Sequence, residues 1–188
     1  MRSSPDGRAS IGCLPYPVVC WRLPTLQTTA IASKQPTSAI WNRLHDKPGG
    51  KWLFSRLLCL KVPYFGTIAP RFIALRPGYC EITMRKRRRV LNHIGTVHAI
   101  AMCNLAELAG GTMTEVTVPA THRWIPRGMQ VDDIKKAESS VVAIAQPLVA
   151  DASFHEAGEY KVDVLVHDTA GTAVFRAIIS MWVSPKKA

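Results

Sequence analysis

The chain has 188 residues, enough for one domain of ordinary size with an extension. Hydrophobic residues make up 47% of it and charged residues 20%, which provides for a sizeable core and excludes a chain disordered throughout. Lys and Arg number 24 against 13 Asp and Glu, a net charge of +11 that favours phosphate-bearing or polyanionic partners and does not bear on fold.

The cysteines at 13, 20, 59, 80 and 103 are odd in number, widely spaced, and form no CxxC pair or Cys/His cluster of zinc spacing. A disulfide framework and a metal site are therefore both unsupported, and reduced, mostly buried thiols in a cytoplasmic protein is the plain reading. No run approaches the roughly 18 apolar residues a membrane helix needs, so no membrane span is expected.

Residues 1–36 carry Pro5, Pro15, Pro17, Pro24 and Pro36, four basic residues and a single acid, Asp6. An acid-poor leader of this kind suits a targeting segment, but its prolines interrupt any amphipathic or apolar stretch, and a disordered extension is the expectation. The folded domain is expected over 37–188. Within it, Thr37 or Ser38 is placed to cap a helix over 39–44, which Pro48-Gly49-Gly50 ends. A second helical stretch, Lys51 to Leu60, brings Trp52, Leu53, Phe54, Leu57 and Leu58 close to one side, and Pro63 and Gly66 break it. Arg71 to Gly78 then leads into a strand from Tyr79 to Met84.

Val97 to Gly110 is rich in small and apolar residues, with only Asn104 and Glu107 polar past its first turn. It predicts a helix buried all round, stopped by Gly110-Gly111. Short β runs are expected at 115–118 and 121–125, around Pro119, and a longer one from Ile134 to Val149 centred on Val141 to Ala145. Glu159 to His167 alternates, with Tyr160, Val162, Val164 and Val166 on one face. Asp168 to Gly171 makes a turn and Thr172 to Val183 returns as the partner strand. Helix, strand, buried helix and antiparallel strands describe an α+β domain, most economically a sheet curled round one long helix.

Asn92-His93-Ile94-Gly95-Thr96-Val97-His98-Ala99, followed by Glu107, resembles the signature of the hotdog-fold thioesterases of the phenylacetate-pathway and acyl-CoA type. In those proteins an Asn and a Gly precede a His-Gly-Gly that opens the central helix, and an Asp or Glu follows that His by nine positions. Here Asn92 stands six before His98 and Glu107 nine after it, and the similarity covers roughly residues 70 to 185.

The resemblance implies a hotdog fold and an acyl-CoA thioesterase that needs no metal or cofactor. Glu107 takes the place of the carboxylate that activates water or attacks the thioester, and the Ala99 N–H at the helix start that of the oxyanion donor. Asn92 and His98 fix the loop or hold the water, and Gly95 and Thr96 fill the loop beside the substrate. A carboxylate on an apolar helix is expected to be desolvated, which strengthens it as a base. Nine residues at about 100° each turn through about 900°, so His98 and Glu107 lie on opposite sides of the helix. The family builds each site from two subunits, which implies an obligate homodimer, with a tetramer as the larger alternative.

One departure is plain. His98-Ala99-Ile100 replaces His-Gly-Gly, so a bulky Ile100 stands beside the oxyanion site. A non-catalytic hotdog protein that binds an acyl or CoA ligand is the alternative reading. A hotdog dehydratase is disfavoured because no His-Phe-Pro loop is present. Cys103, four before Glu107, reads as a small core residue and not as a nucleophile.

Arg85-Lys86-Arg87-Arg88-Arg89 is the densest basic run. Extended, it puts charge on both faces and must protrude or lie at an edge. Just ahead of the Asn92 loop, Arg87 and Arg89 are placed to meet the phosphates of coenzyme A, with Arg123, Arg127, Lys135 and Lys136 as additions. Nucleic acid is the less favoured partner for this run.

Overall fold

The computed structural model of the protein describes residues 35–149 and 154–186. Of residues 1–36, expected to be a disordered extension, 1–34 lie outside the described residues, while Gln35 and Pro36 begin the first helix. Helices α1 (Pro36–Leu44) and α2 (Gly50–Lys61) come first, followed by a 3-10 turn over Pro63–Ile68. Strands β1 (Arg71–Arg76) and β2 (Tyr79–Met84), a 3-10 turn over Arg88–Val90 and the long helix α3 (Ala99–Thr117) follow. The chain ends in four strands, β3 (His122–Asp133), β4 (Val141–Pro147), β5 (Gly158–Asp168) and β6 (Ala173–Pro185).

All six strands pair antiparallel in one sheet of order β1-β2-β4-β5-β6-β3, and α3 packs across its concave face. The alternation read in β5 holds: Tyr160, Val162, Val164 and Val166 are buried beneath α3, as are Phe175, Ala177, Ile179, Met181 and Val183 of β6. Leu105, Ala106, Ala109 and Met113 meet them from the helix. Each large side chain so buried contributes about 1.5–3 kcal/mol. A smaller aromatic cluster ties the N-terminal helices to the sheet. Trp41 of α1 and Phe72 of β1 each lie 5.0 to 6.4 Å from Phe54 of α2 or from one another, ring centre to ring centre. Among the described residues, no helix is long and apolar enough to cross a membrane.

Several local expectations change. The cap of α1 lies two residues before Thr37 and three before Ser38, the expected caps: Gln35 is the N-cap and Pro36 the first helical residue, where its missing N–H costs nothing. Gly110-Gly111 does not stop α3, which runs on to Thr117 and absorbs the strand expected at 115–118. A Cβ at Gly110 would sit 2.9 Å from Ile179 Cδ1, and one at Gly111 would sit 3.1 Å from Trp124 Cη2. These glycines let the helix approach the sheet; they do not end it. The run at 121–125 continues through Pro126 to Asp133, because β3 is an edge strand and the proline needs no ladder partner on its open side. A bulge between Pro126 and Gly128 accompanies the crossing. Of the apolar residues of α2, Phe54 is buried, while Trp52, Leu53 and Leu57 are 40 to 50% exposed.

Candidate active site

The loop before α3 is held by one side chain. Leu91 and Val97 pair across its base, and Gly95, at φ +81°, makes the turn. Asn92 Oδ1 accepts from the N–H groups of Ile94 and Thr96, both at 3.1 Å, and its Nδ2 donates to Thr96 Oγ1 at 2.8 Å. All three bonds stay within the loop, so Asn92 sets its shape.

His98 is the N-cap of α3, and its Nδ1 accepts from the Ile100 N–H at 3.1 Å. The Ala101 and Met102 N–H groups reach the His98 carbonyl. Of the four N–H groups that open the helix, only that of Ala99 has no acceptor among the described residues. It lies on the wall of a cavity of about 420 Å³, with Asn92, Thr96, Lys135 and Lys136 also on the wall. A free N–H at a helix N-terminus suits negative charge, and on the same wall Lys135 and Lys136 outnumber Asp133.

Glu107 lies further along α3, about 13 Å from the helix start by the rise of nine residues. The expectation that its carboxylate is buried does not hold within one chain, where Glu107 is exposed. The exposed strip of α3 runs through Ile100 and Glu107, and so the helix is not buried all round. Glu107 opens on a cavity of about 340 Å³ whose walls are mostly apolar, among them Leu58 and Phe65 from the N-terminal helical segment and Trp124, Pro126 and Met181 from the sheet. Glu115 lines the same cavity, but its Oε2 accepts from Trp124 Nε1 at 2.8 Å, which leaves Glu107 as the carboxylate without a hydrogen-bond partner among the described residues.

The named residues thus divide. Asn92, Thr96 and Ala99 share one cavity, and His98 and Arg89 line a second, of about 330 Å³, on the other side of the helix start. Glu107 belongs to a third and Arg87 to a fourth. Arg85, Lys86, Arg88 and Arg89 are exposed, while Arg87 is half-buried with its Nη2 3.5 Å from the Thr67 carbonyl. Trp124, Glu115, Leu58 and Phe65 escaped the sequence reading. Their roles depend on the contact of β3 and α2 with α3, for which local pattern carries no signal.

Comparison with known proteins fits this architecture. A family model described as a domain of unknown function, DUF4442, matches residues 50–183. A structural-genomics protein of known structure is 46% identical, covers 80% of this chain and 98% of its own, and superposes with a TM-score of 0.70. A thioesterase family protein from Silicibacter pomeroyi is 15% identical over 70% of this chain and 96% of its own, with a TM-score of 0.60. A thioesterase from Haemophilus influenzae is 14% identical over 65% and 82%, with a TM-score of 0.58. At these last identities the likeness is one of fold. No curated protein matches the chain. The sheet wrapped on α3 is the hotdog fold of these thioesterase-family structures, and the chain belongs to the DUF4442 family.

Proposed function

We propose that the protein is a hotdog thioester hydrolase acting on acyl-CoA, with each active site shared between two subunits. The observation that carries the reading is Glu107, an unpartnered carboxylate at the mouth of an apolar cavity of about 340 Å³. The cavity suits an acyl chain, and the carboxylate stands where the thioester would emerge from it.

Strand β3 supports the dimer. It is an edge strand, paired among the described residues only with β6, and Ile125, Met129 and Val131 leave 36 to 60% of their surface exposed along it. An exposed edge strand with apolar side chains is a ready template for pairing with a second chain. One end of β3 touches α3 beside Glu115, and its other end, Asp133, shares a cavity wall with Ala99. Two copies joined antiparallel along β3 would therefore bring Glu107 of one subunit towards the Ala99 N–H of the other. The same contact would take Glu107 out of water and supply the desolvation that one chain lacks.

In the reaction, Glu107 takes a proton from water as the water oxygen adds to the thioester carbonyl. The carbonyl oxygen becomes an oxyanion that accepts from the Ala99 N–H across the interface. Collapse expels the CoA sulfur, which recovers the proton from Glu107, giving a carboxylic acid and the free thiol. Asn92 holds the loop through Thr96. Arg89, Lys135 and Lys136 flank the helix start and suit the phosphates of coenzyme A. Free Cys59, Cys80 and Cys103 are in keeping with a reducing cytoplasm.

A binding protein without turnover is the second reading, favoured by Ile100, which is 60% exposed where the resembling family carries glycine. Hydrolysis of a panel of acyl-CoAs by wild type and Glu107→Gln, both verified as dimers, decides between them. Hydrolysis is expected to fall by about 10²–10⁴-fold in the variant. A wild type inert on every substrate, but raised in melting temperature by acyl-CoA, would replace the hydrolase with the binding protein.

A further inference from the structure

The fourth cavity is unlike the others. It holds about 140 Å³ between α2 and the outer hairpin, and four arginines line it: Arg56 of α2, Arg71 of β1, and Arg85 and Arg87 after β2. No carboxylate lines it, and none of the four guanidinium groups is within 4.0 Å of one among the described residues. Arg87 Nε is buried with no acceptor, while its Nη2 is tethered to the Thr67 carbonyl. Like charges gathered round a small cavity repel one another unless an anion joins them. Guanidinium groups are the side chains best shaped to hold phosphate oxygens in pairs.

Two features give the cavity direction. Trp52, half-exposed, forms part of the wall, with the Arg56 guanidinium 5.6 Å over its ring. That is apolar surface for whatever carries the phosphate. Ala69, also on the wall, has φ +43° and is the one non-glycine residue with positive φ among those described. Strained backbone of this kind gathers at binding sites more than elsewhere.

We infer that this cavity binds the phosphate or diphosphate group of an organic phosphate, at a place separate from Glu107 and the start of α3. The four arginines hold the phosphate oxygens, and Trp52 packs on the organic part. Arg87 belongs to this site, and Arg89, two residues on, to the cavity beside His98. The inference stands without the thioesterase reading. The shared chemistry has two sources, a free nucleotide or the nucleotide end of coenzyme A itself.

The test is calorimetric titration of the full chain with ADP, and with adenosine as the phosphate-free control. Wild type is expected to bind ADP and not adenosine over the same range. Arg56→Ala and Arg85→Ala, both at exposed positions, are each expected to weaken ADP about tenfold, the effect of losing one charge-assisted contact. Arg43→Ala, which removes an exposed charge from α1, is expected to leave ADP binding unchanged. Melting curves confirm that each variant is folded. ADP that raises KM for acyl-CoA without lowering kcat points to the nucleotide end of coenzyme A; ADP that binds without affecting turnover points to a free nucleotide. The inference fails if wild type does not bind ADP, or if both cavity variants bind it as wild type does. It also fails if a single-stranded DNA oligonucleotide binds far more tightly and needs Arg88 and Arg89 equally, which would make the run a nucleic-acid surface.

Discussion

The indole N–H of Trp124 donates to Glu115 Oε2 at 2.8 Å, and the same ring lies 3.1 Å from where a Cβ on Gly111 would stand. Strand β3 is thereby fixed to α3 at the glycine and one helical turn beyond it, on the wall of the cavity that Glu107 opens on. The two carboxylates on that wall consequently differ in what they are free to do.

Glu115 is engaged and Glu107 is not, so charge-removing substitutions should separate them. Glu115→Gln retains an oxygen for Trp124 and is expected to keep most hydrolysis, within a few-fold of wild type, whereas Glu107→Gln loses it. Glu115→Ala leaves the indole N–H without an acceptor and is expected to cost about 1 kcal/mol of stability. Paired rate measurements and urea denaturation of the three variants check this. Equal loss of rate in Glu115→Gln and Glu107→Gln would remove the distinction.

Asn92 offers a test of the loop. Its side chain makes three hydrogen bonds, to Ile94, Thr96 and the Thr96 hydroxyl. Asn92→Ala removes them all and is expected to destabilise the chain by about 1–3 kcal/mol. Asn92→Asp keeps the acceptor oxygen for the two N–H groups and is expected to cost about 1 kcal/mol or less. Hydrogen exchange at the Thr96 amide reads the difference directly, and equal exchange in the two variants would show that the side-chain oxygen does not hold the loop.

If Glu107 and the Ala99 loop serve one site from different subunits, two inactive variants should rescue each other. Mixed after unfolding and refolding, Glu107→Gln and Asn92→Ala chains pair at random. Half of the dimers are then mixed, and each mixed dimer has one site free of both changes. Activity is expected to return to about a quarter of wild type, a consequence of twofold symmetry. No return, with mixed dimers demonstrated by mass spectrometry, would put both residues of a site in one chain.

Burial of His167 lowers its pKa, with the neighbouring Asp168 acting weakly in the opposite sense. The unfolded chain therefore takes up this proton first as pH falls, and protonation favours unfolding. The contribution to stability is fully present above about pH 6.5 and is lost as the pH drops through the depressed folded value. His167→Gln removes this dependence, so its loss of stability between about pH 7.5 and about pH 5 should be smaller than that of wild type. Melting temperatures at the two pH values check it, and an unchanged difference would assign the pH dependence to other groups.

Much of the architecture was legible because it rests on period. The alternation of Tyr160, Val162, Val164 and Val166 named the inner face of β5, and Asp168 with Gly171, at φ +78°, named the turn that returns as β6. The loop signature round Asn92 was equally local, since every bond its side chain makes lies within four residues. What was not legible depends on neighbours remote in sequence. The run at 121–125 was read as short, yet β3 continues through Pro126 because no strand among the described residues pairs with its open side. Glu107 read as buried because its helical neighbours are apolar; its exposure follows from how far the sheet curls, which no window of sequence reports. Trp52, Arg56 and Arg71 carried no joint signal, since only the packing of α2 on β1 brings them to one cavity.

Gly110-Gly111 shows the same limit most sharply and yields the last prediction. Two glycines after an apolar run signal a helix end, but here they let α3 lie close against the strands. A Cβ on Gly110 would meet Ile179 Cδ1 at 2.9 Å and the methyls of Val162 and Val164 at 3.4 and 3.5 Å. The nearest atom is the tip of a flexible side chain, and alanine is favoured over glycine within a helix by about 1 kcal/mol. Gly110→Ala is therefore expected to lie within about 1 kcal/mol of wild type, strain and propensity nearly cancelling. Gly110→Val adds two methyl groups that the strands cannot accommodate, and is expected to destabilise the chain by about 2–3 kcal/mol. Urea denaturation of both variants measures the pair. A valine as well tolerated as alanine would mean that the helix stands off the sheet at this point, and that the glycines serve some purpose other than close packing.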